Sequence, residues 1–185
     1  MIAVIENFFS VDQCEEIIDW CKNQKMGEAS LYGPNLYDPK IRRGKTFLIN
    51  ERNISKYQQI DTMTQNLVDQ IEDFNFSYKR FTLVEFMFQF AEYHSENKDF
   101  FDWHKDDPRK QNPRRLVSSS VQLSDYESYK GGDLEIKDDN IDKYGDSKKQ
   151  GSLIIFDSQV YHRVTPVTQG TRYSLVTWAR GPAPK

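Results

Sequence analysis

Cysteine is scarce in this chain. Cys14 and Cys21 are the only two in 185 residues, too few for a disulfide scaffold and, seven positions apart, placed for packing on one helix face rather than for a crosslink. A reducing, cytoplasmic setting is the expectation. No apolar run approaches the roughly 18 residues that a membrane helix needs, and the stretch Met1 to Phe9 carries Glu6 in place of a basic-then-apolar leader. Positive charge is not in excess either: a net charge of -3 gives no general pull toward a phosphate backbone, so neither nucleic acid nor membrane is the expected partner. Internal repeats and domain linkers are absent, and the length suits a single domain over 1–185 that buries a core without staples. Aromatic residues, by contrast, make up 14% of the chain, as suits large side chains lining a barrel and its mouth.

The first half reads as support. Ser10-Val11-Asp12-Gln13 is a helix start with a capping box, Phe9 stands where a hydrophobic staple belongs, and the helix runs to about Asn23 with Cys14, Ile17, Ile18 and Cys21 on its apolar face. A loop rich in Gly, Pro, Asn and Tyr fills Gly27 to Lys40, and Arg42 to Asn50 reads as a strand. Helical spacing returns over Ile54 to Phe74, with Ile60, Leu67 and Ile71 in the stripe. From Arg80 to Tyr93 the pattern alternates. Val84, Phe86, Phe88 and Phe90 form a face for the helices, while Glu85, Met87, Gln89, Ala91 and Tyr93 form the mixed face of a barrel interior. On that alternation His94 points outward.

The second half carries the chemistry. His104-Lys105-Asp106 places two ligating side chains at i and i+2, which an extended backbone turns to one face. His162 follows the apolar run Gly151 to Phe156, a buried strand, and supplies a third ligand. Two histidines and one carboxylate form the facial set that leaves coordination positions free on non-haem Fe(II). Arg172 and Ser174 then share one face of the final extended run, Arg172 to Trp178, and that face can hold a carboxylate. The same three ligands would also serve a zinc hydrolase or a non-catalytic metal-containing barrel that binds a partner. A zinc hydrolase, though, has no use for an Arg-x-Ser facing the metal. Between these motifs, Asp107 to Arg115 is polar, basic and Pro-interrupted and reads as a loop; Leu116 to Leu123 is a strand; Asp138 to Gln150 is a surface loop; and Gly181 to Lys185 is a frayed tail.

Tyr93, Asp102-Trp103-His104-Lys105-Asp106, Gly131-Gly132-Asp133-Leu134, Gly151 to Phe156, His162-Arg163-Val164-Thr165-Pro166-Val167 and Gly170-Thr171-Arg172-Tyr173-Ser174 stand in that order. As a linked set they resemble the 2-oxoglutarate- and Fe(II)-dependent oxygenases, in particular the prolyl 4-hydroxylase-like branch, over roughly the last 105 residues. The resemblance implies a mainly β fold with supporting N-terminal helices (α+β): a double-stranded β-helix, or jelly-roll, barrel over 80–180 backed by 1–79. It implies Fe(II), 2-oxoglutarate and O2, with ascorbate as a candidate reductant. His104, Asp106 and His162 would be the catalytic metal set, and Arg172, Ser174, Tyr93 and Gln122 would hold the co-substrate. The implied reaction is hydroxylation of an unactivated C–H with decarboxylation of 2-oxoglutarate to succinate and CO2. A prolyl residue of a protein or peptide is the implied target, a free amino acid or other small molecule the alternative. Halogenating relatives have Gly or Ala where Asp106 stands, so the carboxylate favours hydroxylation. Two features depart from the pattern: many relatives have a glycine where this chain has Ser95-Glu96-Asn97-Lys98, and collagen-type enzymes have Lys in place of Arg172.

Overall fold

A capping box does open the first helix: Ser10 Oγ accepts from the Gln13 amide at 3.2 Å, and Gln13 Oε1 accepts from the Ser10 amide at 2.9 Å. With two of its end amides satisfied, α1 (Val11–Lys22) starts at the expected residue and buries Cys14, Ile17, Trp20 and Cys21. Burial pushes the Cys14 thiol up to about 12, so this cysteine packs as an apolar group. The computed structural model describes residues 2–31, 37–50, 57–107, 113–137 and 148–183. Ile54, the basic pair Arg109 and Lys110, and most of the two polar loops lie outside the described residues.

The second helix, α2 (Gln58–Tyr78), runs past the end that its apolar stripe predicts at Phe74. Asn75 explains the stop that does occur, since its side-chain amide both donates to the Phe81 carbonyl and accepts from the Phe81 amide at 2.9 Å. This local bonding competes with continued helix and turns the chain toward the sheet.

The strands, in chain order, are β1 (Ile2–Ile5), β2 (Gly27–Glu28), β3 (Arg42–Arg43), β4 (Lys45–Ile49), β5 (Glu85–His94), β6 (Phe100–His104), β7 (Arg114–Gln122), β8 (Lys130–Gly131), β9 (Leu134–Ile136), β10 (Leu153–Asp157), β11 (His162–Val164), β12 (Val167–Gln169) and β13 (Thr171–Gly181). They form a seven-stranded antiparallel sheet, β1-β10-β7-β13-β5-β4-β2, a four-stranded sheet, β3-β6-β11-β9, and a two-stranded ribbon, β12-β8. This arrangement is a double-stranded β-helix. The outer face of the large sheet meets both helices through Phe90, Leu175, Val121 and Ile155 against Ile17, Leu67 and Ile71. The inner face meets the small sheet through Ala91, Tyr93, Phe101 and Val164. Alternation along β5 places Phe86, Phe88 and Phe90 on the helix side and Gln89, Ala91 and Tyr93 inside, as the sequence pattern requires.

Several boundaries differ from the sequence reading. Residues 80–84 are not strand; Arg80 has a φ of 53°, and Val84 is 62% exposed. The strand read over Arg42 to Asn50 is two strands in two different sheets, because Gly44, at φ 146°, turns the corner between them. A Cβ there would lie 2.9 Å from the Glu92 carbonyl oxygen, so the corner requires glycine. Arg114 and Arg115 belong to β7 rather than to a loop, and Gly181 is the buried last residue of β13 rather than tail. β1 has no sequence signal beyond four apolar residues; it forms because its pairing with β10 covers that edge.

Phe90 is fully buried at the helix–sheet interface, so Phe90→Ala should cost about 3–5 kcal/mol. Phe76, 75% exposed on α2, should change stability by less than about 0.5 kcal/mol on the same substitution. Urea unfolding of the two variants measures both.

Candidate metal centre

β6 and β11 pair so that His162 lies directly opposite His104. Asp106 follows just past the end of β6, where its amide donates to the Ser158 carbonyl at 3.0 Å and fixes the strand end against the turn that leads into β11. The three buried side chains offer ligand atoms that all lie within 4.8 Å of one another. His104 Nε2 is 3.7 Å from one Asp106 oxygen and His162 Nε2 is 3.5 Å from the other. A backbone carbonyl accepts a hydrogen bond from each ring on its other side: His104 Nδ1 donates to Asp102 O at 2.7 Å and His162 Nδ1 to Val160 O at 3.1 Å. Since a carbonyl can only accept, each Nδ1 carries a proton, and each Nε2 is the nitrogen turned to the centre.

Electrostatics agree with that assignment. Burial, with His162 acting in the same direction, pushes the His104 imidazole down to about 3, which leaves the ring neutral at ordinary pH. For Asp106, burial alone would raise the carboxyl; His162, His104, Arg115 and a hydrogen bond from Ser118 outweigh it and hold the group down at about 2. The ion-binding face therefore joins a neutral His104 and an ionised Asp106 with the imidazole of His162. His94 lies outside this group: its Nδ1 is 3.2 Å from Thr171 Oγ1 and its ring pairs with Glu92. Asp107, the neighbouring carboxylate, is turned to Arg114 and Gln159.

The metal face opens on a cavity between the two sheets, which Tyr93, Arg172 and Ser174 also line. Arg172 and Ser174 project from the inner face of β13, and Arg172 Nη1 donates to Ser174 Oγ at 3.3 Å. Gly132, at φ 64°, makes room for this arginine, since a Cβ there would sit 3.0 Å from Arg172 Cδ. Gln122 is placed differently from its expected role. It lies across from Ser174 on β7 but outside the lining, and its amide nitrogen donates to the Ser124 carbonyl at 3.1 Å and the Tyr129 hydroxyl at 3.0 Å. Those partners take up its donors. The sequence reading missed Trp178, although alternation from Arg172 and Ser174 points to it; Arg115 stacks 3.8 Å above its ring, 3.9 Å from Asp106. It also missed Arg42, which no local pattern could bring to the cavity.

The family model of the 2OG-Fe(II) oxygenase superfamily matches residues 88–180, the stretch holding the two histidines, Asp106 and Arg172. The chain belongs to this superfamily. Among similar proteins are a PKHD-type hydroxylase of Synechococcus sp. strain CC9605, 35% identical over 100 residues that are 54% of this chain and 45% of the relative, and one of Teredinibacter turnerae, 38% identical over 77 residues, 42% and 34% of the two chains. The matched stretch thus spans less than half the length of those relatives. Among solved structures, a Pseudomonas putida prolyl-4-hydroxylase superposes with a TM-score of 0.71 at 21% identity, covering 97% of this chain and 92% of that one. A Trichoplax adhaerens prolyl hydroxylase, in complex with a hypoxia inducible factor peptide fragment, gives 0.74 at 19%, covering 97% and 83%. These two establish the shared fold.

Fe(II), 2-oxoglutarate and O2 are the cofactor and co-substrates that membership in the superfamily implies, and the residues fit them. The metal face has two imidazoles, each with Nδ1 held on a backbone carbonyl, and the ionised carboxylate, which are donors that Fe(II) takes. Arg172 is 3% exposed and has no carboxylate partner among the described residues, so an anion of the ligand is what would satisfy it.

Metal titration tests the ligand set. Ala variants of His104, Asp106 and His162 should each lose Mn(II) or Fe(II) affinity strongly, while His94→Ala should retain it. A second outcome concerns acid. Because the folded His104 value lies below the ordinary 6.5, the unfolded chain takes up a proton that the folded one refuses, and the metal-free protein should lose stability as pH falls from about 6.5 toward about 3. Between about pH 7 and about pH 5 carboxylates stay ionised, and His104→Phe should flatten the fall of the urea midpoint across that window.

Proposed function

We propose that this chain is a 2-oxoglutarate-dependent dioxygenase that hydroxylates an unactivated C–H, with a prolyl residue of a peptide or protein as its target. The carrying observation is the pair of features in one cavity: a face of His104, His162 and Asp106, and a buried Arg172 beside Ser174 that has no carboxylate partner among the described residues. When bound, Fe(II) and 2-oxoglutarate supply an oxidative decarboxylation to succinate and CO2 that drives transfer of an oxygen atom from O2 to the C–H. His104, Asp106 and His162 are the residues that hold the ion. Arg172 and Ser174 bind the far carboxylate of the co-substrate, the guanidinium offering two parallel donors where an ammonium would offer a point charge.

Tyr93 forms one wall of this end, its ring 5.9 Å from the Arg172 guanidinium carbon, and orients the co-substrate chain by packing. Burial of most of the lining on both sheets limits the access of water. Hydroxylation is supported by the names of the relatives, a prolyl target by those of the solved structures, and a peptide substrate by the Trichoplax adhaerens complex.

Turnover of 2-oxoglutarate against proline-containing peptides, free amino acids and cell extract, read as succinate formed and a product heavier by one oxygen atom, tests the activity. Arg172→Ala should raise the 2-oxoglutarate requirement by an amount equivalent to about 2–5 kcal/mol while metal affinity stays near that of the wild type. Arg172→Lys should fall between the two, keeping the charge and losing the fork. Titration of 2-oxoglutarate into the Mn(II)-loaded proteins measures this, and unchanged affinity in Arg172→Ala would remove the reading.

A further inference from the structure

Arg42 is a second buried guanidinium in the same cavity. It comes from β3, outside the stretch that the family model matches, and is 4% exposed. The Gly44 corner sends β3 into the small sheet, where Arg42 pairs with Phe101 in register and lays its guanidinium 4.5 Å over that ring. The other contacts are neutral. Nη1 donates to the Ser30 carbonyl at 2.9 Å, Nη2 to Gln89 Oε1 at 3.0 Å and to the Tyr93 hydroxyl at 3.4 Å, and the buried Nε has no partner. Among the described residues no carboxylate pairs with it.

A buried cation without an anion is costly to the fold, and two in one cavity also repel each other. Among the described residues Asp106 is the one carboxylate in the lining, and it faces the histidines and Arg115. A divalent ion adds positive charge, and a dianionic co-substrate, with one carboxylate toward the ion and one toward Arg172, still leaves the cavity net positive. The unmatched charge is the one on Arg42. Phe101 separates it from the metal face, since this ring stacks on His104 at 3.4 Å between centroids, so Arg42 is not placed to serve the metal end of the co-substrate.

We propose, on the basis of the dioxygenase reading above, that Arg42 binds a carboxylate of the primary substrate, so that the molecule hydroxylated carries an acid group close to the target carbon. Two sources share that chemistry: the α-carboxylate of a free amino acid, or the side chain of an acidic residue next to the target in a peptide. Gln89 and the Ser30 carbonyl hold the guanidinium in place, and its remaining N–H groups receive the anion.

The test uses the full chain loaded with Mn(II) and saturated with 2-oxoglutarate, which first shows whether the co-substrate binds at all; failure there sinks the dioxygenase reading together with this one. L-Proline is then titrated against L-prolinamide, and acetyl-Asp-Pro-amide against acetyl-Asn-Pro-amide. In at least one pair the acid should bind wild type tenfold or more tighter than its neutral twin. Arg42→Gln should abolish that ratio and Arg42→Lys should keep part of it, a change in discrimination that a merely structural role would not produce. The proposal is overturned if neither pair shows the preference, if the preference survives in Arg42→Gln, or if Arg42→Gln instead weakens 2-oxoglutarate binding tenfold, which would make Arg42 a co-substrate residue.

Discussion

Both long edges of β13 are hydrogen-bonded, to β5 on one side and β7 on the other, and its strict two-residue alternation is the constraint on which the rest depends. One face gives Leu175 and Ala179 to the core under the helices. The opposite face gives Arg172, Ser174, Val176 and Trp178 to the cavity. A slip of one residue would exchange the two sets, putting a guanidinium into an apolar core and a leucine into the cavity. The apolar face therefore fixes the polar one: the hydrophobic contact that stabilises the sheet also determines where the charge sits.

The metal face is organised differently, by backbone rather than by packing. The Asp102 and Val160 carbonyls hold both imidazoles in a single tautomer before any ion arrives, and Asp106 is steadied by its own amide and by Ser118, whose hydroxyl is also shared with Ser158 at 2.8 Å. Little has to reorganise when an ion binds, which is how a site made from three side chains can retain a cation while leaving part of its coordination open.

Much of this was legible in the sequence because it rests on local periodicity. The His-x-Asp spacing, the alternation of β5 and β13 and the capping box at Ser10 are each decided within a few residues, and the structure places those side chains accordingly. What was not legible depends on distant partners. Arg42 reaches the cavity only because Gly44 sends two adjacent strands to different sheets, and β1 is a strand only because β10 needs a neighbour. Gln122 stands on the correct face, but Tyr129 and Ser124 claim its donors. The start of β7 at Arg114 is likewise set by pairing with Gly181 and Arg180 rather than by the polar, Pro-interrupted stretch that precedes it.

The order of the strands bears on how the chain assembles as it is made. β13 follows every other strand in sequence yet occupies the middle of the large sheet, so β5 and β7 each wait with an open edge until it arrives between them. β1 precedes all the other described strands yet, among the described residues, pairs with β10 alone, Ile2 against Phe156. Contacts of such wide separation carry a large loop-closure cost and make for slow folding. During that interval a nascent chain exposes unpaired, apolar-faced strands, the condition under which chaperone protection matters most. The candidate metal set is caught in the same delay: His104 and Asp106 are synthesised well before His162, so a chain still under synthesis holds an incomplete set.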